Sequence, residues 1–317
     1  MKQNRKKRRA GSVLRTMILI IALGVFCFSA YKLVSIYLDY KQGSDEYSAL
    51  ERYADLENPE EPDVPEEETQ AAAEPEDGVV VTGSEADSTD STEEASKAAE
   101  EDTEAFTYET ETDSETGEVK KKKIYYMKNP VDFESLQAIN EDIIGWLKVG
   151  ALDISYPVTQ GEDNEYYLHR TFEGVENFAG CIFMDYLNDV NFQDDNTIIY
   201  GHNMKDGSMF GTLRKFLEDG VYDSDHYFWI YTPTRIYKYE IFNCTTVGTV
   251  SSTYNLNFGT RTEFQDYLDV AMMQSQVDTA DVEVTSSDKI VTLSTCTGDE
   301  TTRFVVQGKL VRTYAAK

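Results

Sequence analysis

The sequence predicts a mainly β domain, of barrel or sandwich type, following a membrane-spanning helix and an acidic middle segment. Three observations carry this expectation. An apolar stretch from Thr16 to Leu38, interrupted only by Lys32, follows a basic N-terminus. The middle of the chain is strongly acidic and has no aromatic residue between Ala54 and Ala105. From Ile124 onward, aromatic and β-branched residues return in short alternating runs bounded by turn residues, the pattern of half-buried strands.

The 317 residues carry a net charge of −29, unevenly spread. Residues 1–38 hold eight Lys/Arg and no acid, residues 39–118 three against 29 Asp/Glu, and residues 119–317 18 against 29. A nucleic-acid groove needs cations clustered on a folded face. The only basic clusters are the N-terminal tail and the run Lys120 to Lys123, so no nucleic-acid partner is expected. Four cysteines in this length make no disulfide framework. Cys27 falls in the apolar run, leaving Cys181, Cys244 and Cys296.

Taken in order, residues 1–15 read as a basic cytoplasmic tail and 16–38 as a transmembrane helix. Its 23 residues would extend about 34 Å at 1.5 Å each, enough for a ~30 Å hydrocarbon core. Lys32 near the outer end can snorkel to the interface. The basic block before the span places the N-terminus inside and the remainder outside the cell membrane. A cleaved signal peptide fits worse, because Phe28 occupies the place of a small residue before Ala30.

Residues 39–118 read as an acidic juxtamembrane segment and disordered linker. Tyr47, Leu50, Tyr53 and Ala54 have helical spacing, which extends a helix through 39–58. Beyond them come four of the seven prolines and repeated Glu, Asp, Ser and Thr. Such a stretch buries too little apolar area to offset its ordering entropy, and like charges extend it. It reads as a spacer carrying the domain away from the membrane, or equally as a solubilising tail of no specific role, and in either case as dispensable for chemistry.

Residues 119–317 suit a single domain. Strands are expected at Ile143–Val149, Ile154–Val158, Ala179–Met184, Thr197–Tyr200, Tyr227–Tyr231, Ile236–Val250, Ile290–Ser294 and Arg303–Val311. Helices are expected at Val131–Ile139, Met209–Leu217 and Thr262–Ser275. Many strands with short turns and few helices indicate a barrel or sandwich.

Three residues stand out chemically. His202 lies just past the apolar run that ends at Tyr200. Cys296 ends the run from Lys289, and Arg303 opens the next. If 290–296 and 303–311 form a hairpin, Cys296 and Arg303 face each other with Cβ atoms roughly 5 Å apart. A guanidinium there favours a thiolate and can bind a developing oxyanion, and a nearby imidazole supplies a proton. That is an acyl-transfer constellation, although a strand-end cysteine is more often a small buried hydrophobe. Cys181 and Cys244 fit that inert reading, and His169 and His226 read as surface residues. No Cys/His pair has zinc-ligand spacing, so neither metal nor cofactor is expected.

The segment Thr197-Ile-Ile-Tyr-Gly-His-Asn-Met-Lys-Asp-Gly-Ser-Met-Phe210 resembles the histidine motif of class B sortases. Thr292-Leu-Ser-Thr-Cys296 is similar to the sortase Thr-Leu-x-Thr-Cys signature, and Arg303 stands where that family keeps its arginine. Asp153–Val158, Asp163–Leu168 and Gly180–Asp185 also resemble it, so the match runs over roughly 130–312.

The resemblance implies a sortase-type eight-stranded β-barrel with a few peripheral helices. It implies a membrane-anchored cysteine transpeptidase on the outer face of a Gram-positive cell. Such an enzyme cleaves a C-terminal sorting pentapeptide of secreted proteins after Thr and passes the acyl group to a cell-wall or pilin amine. Cys296 would be nucleophile, His202 general acid and base, and Arg303 the oxyanion or substrate ligand. Asn164, Leu168, Tyr200 and Ser294 would line the peptide groove, with Tyr254 added from its place before the helix at 262–275. Two other readings stand beside it: a hydrolytic cysteine peptidase, and a non-catalytic surface-binding domain on a stalk.

Overall fold

The computed structural model describes residues 2–54, 56, 61–62, 105–112 and 119–317. The expected disordered linker falls largely on residues outside these. Strands run in the order β1 (Phe106–Thr112), β2 (Val119–Met127), β3 (Ile143–Val149), β4 (Ile154–Thr159), β5 (Ile182–Met184), β6 (Asn196–Tyr200), β7 (Tyr227–Tyr231), β8 (Arg235–Gly248), β9 (Ile290–Cys296) and β10 (Thr302–Ala316). Helices are α1 (Lys2–Ser48), α2 (Phe133–Ile139), α3 (Val221–Ser224) and α4 (Arg261–Met273).

Eight strands close a mixed barrel in the order β10-β8-β7-β3-β4-β5-β6-β9, with β9 pairing back onto β10. Closure removes the exposed edges that an open sheet would leave. The hairpin β1–β2 is appended, through a short parallel pairing of β2 with the end of β10. All eight sequence-expected strands are barrel strands, and α2 and α4 form where helices were expected. The expected helix over 209–217 does not form; only Leu213–Leu217 makes a 3-10 turn. Met209 has φ +53°, in the left-handed region, which no right-handed helix can contain.

The side-chain alternation of β9 separates two environments. Val291 and Leu293 point into the barrel with Leu147, Val158, Ile182, Met184, Ile199, Phe304 and Val306. The opposite face, carrying Thr292, Ser294 and Cys296, is turned outward by the two-residue period. Helix α4 covers its beginning, where Phe264, Leu268 and Ala271 pack with Ile290 and Phe242. Beneath the helix lies a buried polar network. Gln307 Nε2 donates to Thr292 Oγ1 (2.9 Å) and Tyr267 Oη (2.7 Å), Thr292 Oγ1 donates to Asn196 Oδ1 (2.7 Å), and Asn243 Nδ2 donates to Gln307 Oε1 (2.8 Å). Buried polar groups that hydrogen-bond across neighbouring strands favour one strand register.

Helix α1 includes one segment long and apolar enough to cross a membrane, Arg15–Ser35. It continues to the barrel. Leu50 and Leu56 are buried with Met127, Val131, Phe133 and Leu136, and Ala54 forms a bridge with Val131. Glu61 then pairs with Lys238 and accepts from Tyr314 Oη. After the acidic stretch, β1 places Glu109 against Arg235, on the same strand β8 as Lys238. Both described flanks of 63–104 are therefore fastened to one strand. From the span, α1 continues toward the barrel, Ser35 to Tyr47 being about 18 Å of helix.

Candidate active site

Strands β6 and β9 run parallel with Tyr200 beside Ser294. Cys296 ends β9 two residues past Ser294, and His202 follows β6 two residues past Tyr200, so continuing the same register brings the two side by side beyond the last strand pair. Bonds beyond the last strand pair hold this register: Gly201 N–H donates to Ser294 O (3.1 Å) and Thr295 Oγ1 donates to Gly201 O (2.8 Å). Asn203 Nδ2 donates to Cys296 O (2.7 Å). Gly201 has no room for a side chain, since a Cβ would stand 2.4 Å from Ile182 and 2.7 Å from Phe210. On the other side of β9, antiparallel β10 puts Arg303 directly opposite Cys296. The three chemically distinctive residues thus end three adjacent strands on one face.

Cys296 is the partly exposed thiol of the barrel, whereas Cys181 and Cys244 are buried. Burial pushes the Cys181 thiol up to about 11, and burial raises Cys244 as well; both are inert at neutral pH. His202 Nε2 lies 2.7 Å from the Leu168 carbonyl oxygen. A carbonyl only accepts, so Nε2 carries the proton and donates, leaving Nδ1 as the exchanging nitrogen. Arg303 Nη1 donates to Thr302 O (2.9 Å) and Glu300 O (3.3 Å).

The five residues expected to line a peptide groove lie around the same face. Tyr254, on the 3-10 turn Ser252–Tyr254, shares a 2.9 Å hydroxyl hydrogen bond with Ser294 Oγ. Its ring stacks with Tyr200, centroids 6.5 Å apart. Asn196 holds that turn by donating to Thr253 O (3.0 Å) and Asn255 O (2.9 Å). Tyr200 Oη and Asn164 Nδ2 both donate to Asp185 Oδ2, at 2.9 and 2.8 Å. Burial first, and the Asp185 carboxylate second, raise the Tyr200 phenol, so it stays a donor. Leu168 enters through its carbonyl on His202.

Sequence reasoning missed three neighbours. Asp185 gathers Asn164 and Tyr200, Asn203 ties the His202 loop to Cys296, and His169 stacks on His202 at 6.3 Å. His169 is exposed, as read from the sequence, yet it belongs to the surroundings of the site. Asp185 and Asn203 sit inside the motifs quoted above; nothing in the sequence marked His169. Among the described residues no group of three His, Cys, Asp or Glu is placed to hold a metal ion.

A family model described as "Sortase domain" matches residues 147–311, the stretch that contributes every side chain of this site. The chain belongs to the sortase family, in its class B branch. It is 43% identical to Sortase B of Listeria monocytogenes over 183 residues, 57% of this chain and 74% of that protein. The sortase B structure from B. anthracis in complex with AAEK2 is 40% identical, with TM-score 0.53, covering 65% of this chain and 89% of that one. The Staphylococcus aureus sortase B–substrate complex is 35% identical, with TM-score 0.54, covering 57% and 84%. Sortase-family proteins are membrane-associated cysteine transpeptidases, and the apolar segment of α1 is a candidate span.

Proposed function

We propose that this sortase cleaves a C-terminal sorting pentapeptide of secreted proteins after Thr and transfers the acyl group to a cell-wall or pilin amine. The observation that carries the reading is the alignment of His202, Cys296 and Arg303 on three adjacent strand ends. The Cys296–His202 pair holds one proton. Cys296 Sγ attacks the Thr carbonyl carbon as its proton passes to His202 Nδ1. The Arg303 guanidinium, opposite the cysteine, receives the oxyanion. The C–N bond breaks as Nδ1 returns its proton to the leaving amine, giving a thioacyl enzyme. The acceptor amine then attacks, loses a proton to Nδ1, and the thiolate departs with that proton. Asn164, Leu168, Tyr200, Ser294 and Tyr254 bind the peptide. The existence of a sortase B–substrate complex from Staphylococcus aureus, 35% identical to this chain, supports a substrate-binding role in general.

The proposed organisation keeps 1–15 in the cytoplasm, 16–38 in the membrane and the barrel outside, because the basic block precedes the span. The test is mass spectrometry on the full chain in detergent, wild type and Cys296→Ala, with a panel of sorting pentapeptides and an added amine. A Cys296-dependent amine adduct cleaved after Thr is expected. Hydrolysis that no amine diverts would make it a peptidase, and no reaction with an inert Cys296 would make it a binding domain.

A further inference from the structure

The Nε2 acceptor of His202 is a backbone carbonyl, so whatever fixes that carbonyl fixes the imidazole. Leu168 O belongs to the short turn Tyr167–His169, and that turn is clasped by a second one. Cys181 N–H donates to Tyr167 O (2.9 Å) and Asn177 N–H donates to His169 O (2.9 Å), one bond on each side of Leu168. Between them lies Gly180, at φ +59°. Its backbone presses on the same turn: a Cβ at Gly180 would stand 2.6 Å from Leu168 O and 2.9 Å from Tyr167 O. Only glycine allows that approach.

The clasping turn is itself held from outside the barrel. Tyr47, in the last turn of α1, donates its hydroxyl to Gly180 O at 2.8 Å. Its ring meets Tyr156 edge-on (5.4 Å) and Phe172 at 5.8 Å. Both partners are aromatic and fix the ring, which brings the hydroxyl to the Gly180 carbonyl with the Cys181 thiol beside it. Burial, and after it the Cys181 thiol, raises this phenol well above its ordinary 10, so it donates at any physiological pH.

We infer that Tyr47, on the helix that carries the membrane span, is a positioning residue for His202, acting through Gly180 and the Leu168 carbonyl. Tyr47 touches neither substrate nor reacting atoms; it sets the tautomer and direction of the imidazole that does. The anchor helix is in this way part of the support of the active site. The inference rests on the proposed role of His202 for its kinetic arm only.

The test uses the full chain in detergent with 15N-labelled histidine. There are three histidines, and His169→Asn and His226→Asn assign them. The wild type should show His202 as the Nε2–H tautomer. Tyr47→Phe keeps the ring packing and removes the hydrogen bond. Its His202 signals should move toward mixed tautomers, and kcat should fall about fivefold with KM unchanged, the scale of one neutral hydrogen bond. Tyr53→Phe, one to two turns on, should change neither. Unchanged His202 signals in Tyr47→Phe, or an unchanged kcat, would overturn the proposal. A wild type without Cys296-dependent product fails the proposed function instead, and the imidazole spectrum then decides on Tyr47 alone.

Discussion

Arg303 lies directly across from Cys296 at the turn end of the β9–β10 hairpin, and its Nη1 is held by the carbonyl oxygens of Thr302 and Glu300. The cysteine sits where α4 no longer covers β9, and the arginine is braced by its own turn. A guanidinium fastened through one nitrogen keeps its orientation while the rest of the fork stays available to a ligand.

That bracing makes Arg303→Lys a demanding substitution. Lysine keeps the charge but has no fork to share between the turn carbonyls and an oxyanion. The expected loss in kcat is about 100-fold, the scale of one oxyanion donor, with KM changed less. Steady-state kinetics on a cleaved peptide checks it. Wild-type kcat in the lysine variant would mean that charge alone suffices.

Asp185 offers a different signature. Its Oδ2 accepts from both Tyr200 and Asn164, and its Oδ1 accepts from Leu187 N–H. Asp185→Asn leaves one acceptor oxygen: either Leu187 N–H, or Tyr200 and Asn164 together, then face an amide NH2, and the carboxylate charge that draws the two donors is lost. The groove residues then lose their directions while Cys296, His202 and Arg303 keep theirs. KM for the peptide should rise about tenfold with kcat nearly unchanged, the pattern of lost uniform binding. A fall in kcat at constant KM would place Asp185 among the reacting groups instead.

The barrel was legible because its strands are short runs rich in apolar, aromatic and β-branched residues bounded by turn residues, and the hairpin from Cys296 to Arg303 followed from two such runs around a short polar turn. The groove residues came from the resemblance rather than from spacing. Strand β1 was hidden because Phe106–Thr112 sits inside an acidic run, and its partner β2 carries four consecutive lysines. Only the pairing makes sense of both, with Glu109 opposite Lys122. The helical spacing of Tyr47 and Leu50 was visible, but not what the helix packs on. Composition therefore made the whole of 39–118 look dispensable, whereas a truncation at 119 removes Tyr47, Leu50 and Leu56 from the barrel. Asp185 and His169 were hidden because their roles depend on contacts between segments far apart in sequence.

The same register that aligns His202 with Cys296 is pinned at the far end of its strands by Asp195. Arg261, which opens α4, grips the Asp195 carboxylate with two nitrogens, at 2.7 and 2.9 Å, and Lys289, which leads into β9, reaches it at 3.3 Å. The Asp195 carbonyl accepts from Ile290 N–H (3.0 Å) at the start of β9. Burial alone would raise this carboxyl; the Arg261 hydrogen bonds and the Lys289 and Arg261 charges outweigh it and hold the group below its ordinary 3.8. A carboxylate depressed in the folded state stabilises the fold in full above the unfolded value, and the contribution is lost as pH falls through the folded one. Asp195→Asn should therefore cost about 1–2 kcal/mol at pH 7, a modest figure because both cations are partly exposed. The gap in thermal midpoint between wild type and variant should close as pH is lowered below 3.8, and narrow in high salt. A gap that stays constant from pH 7 to pH 3 would mean that Asp195 acts through packing and hydrogen-bond shape, and that its charge does not hold the two catalytic strands together.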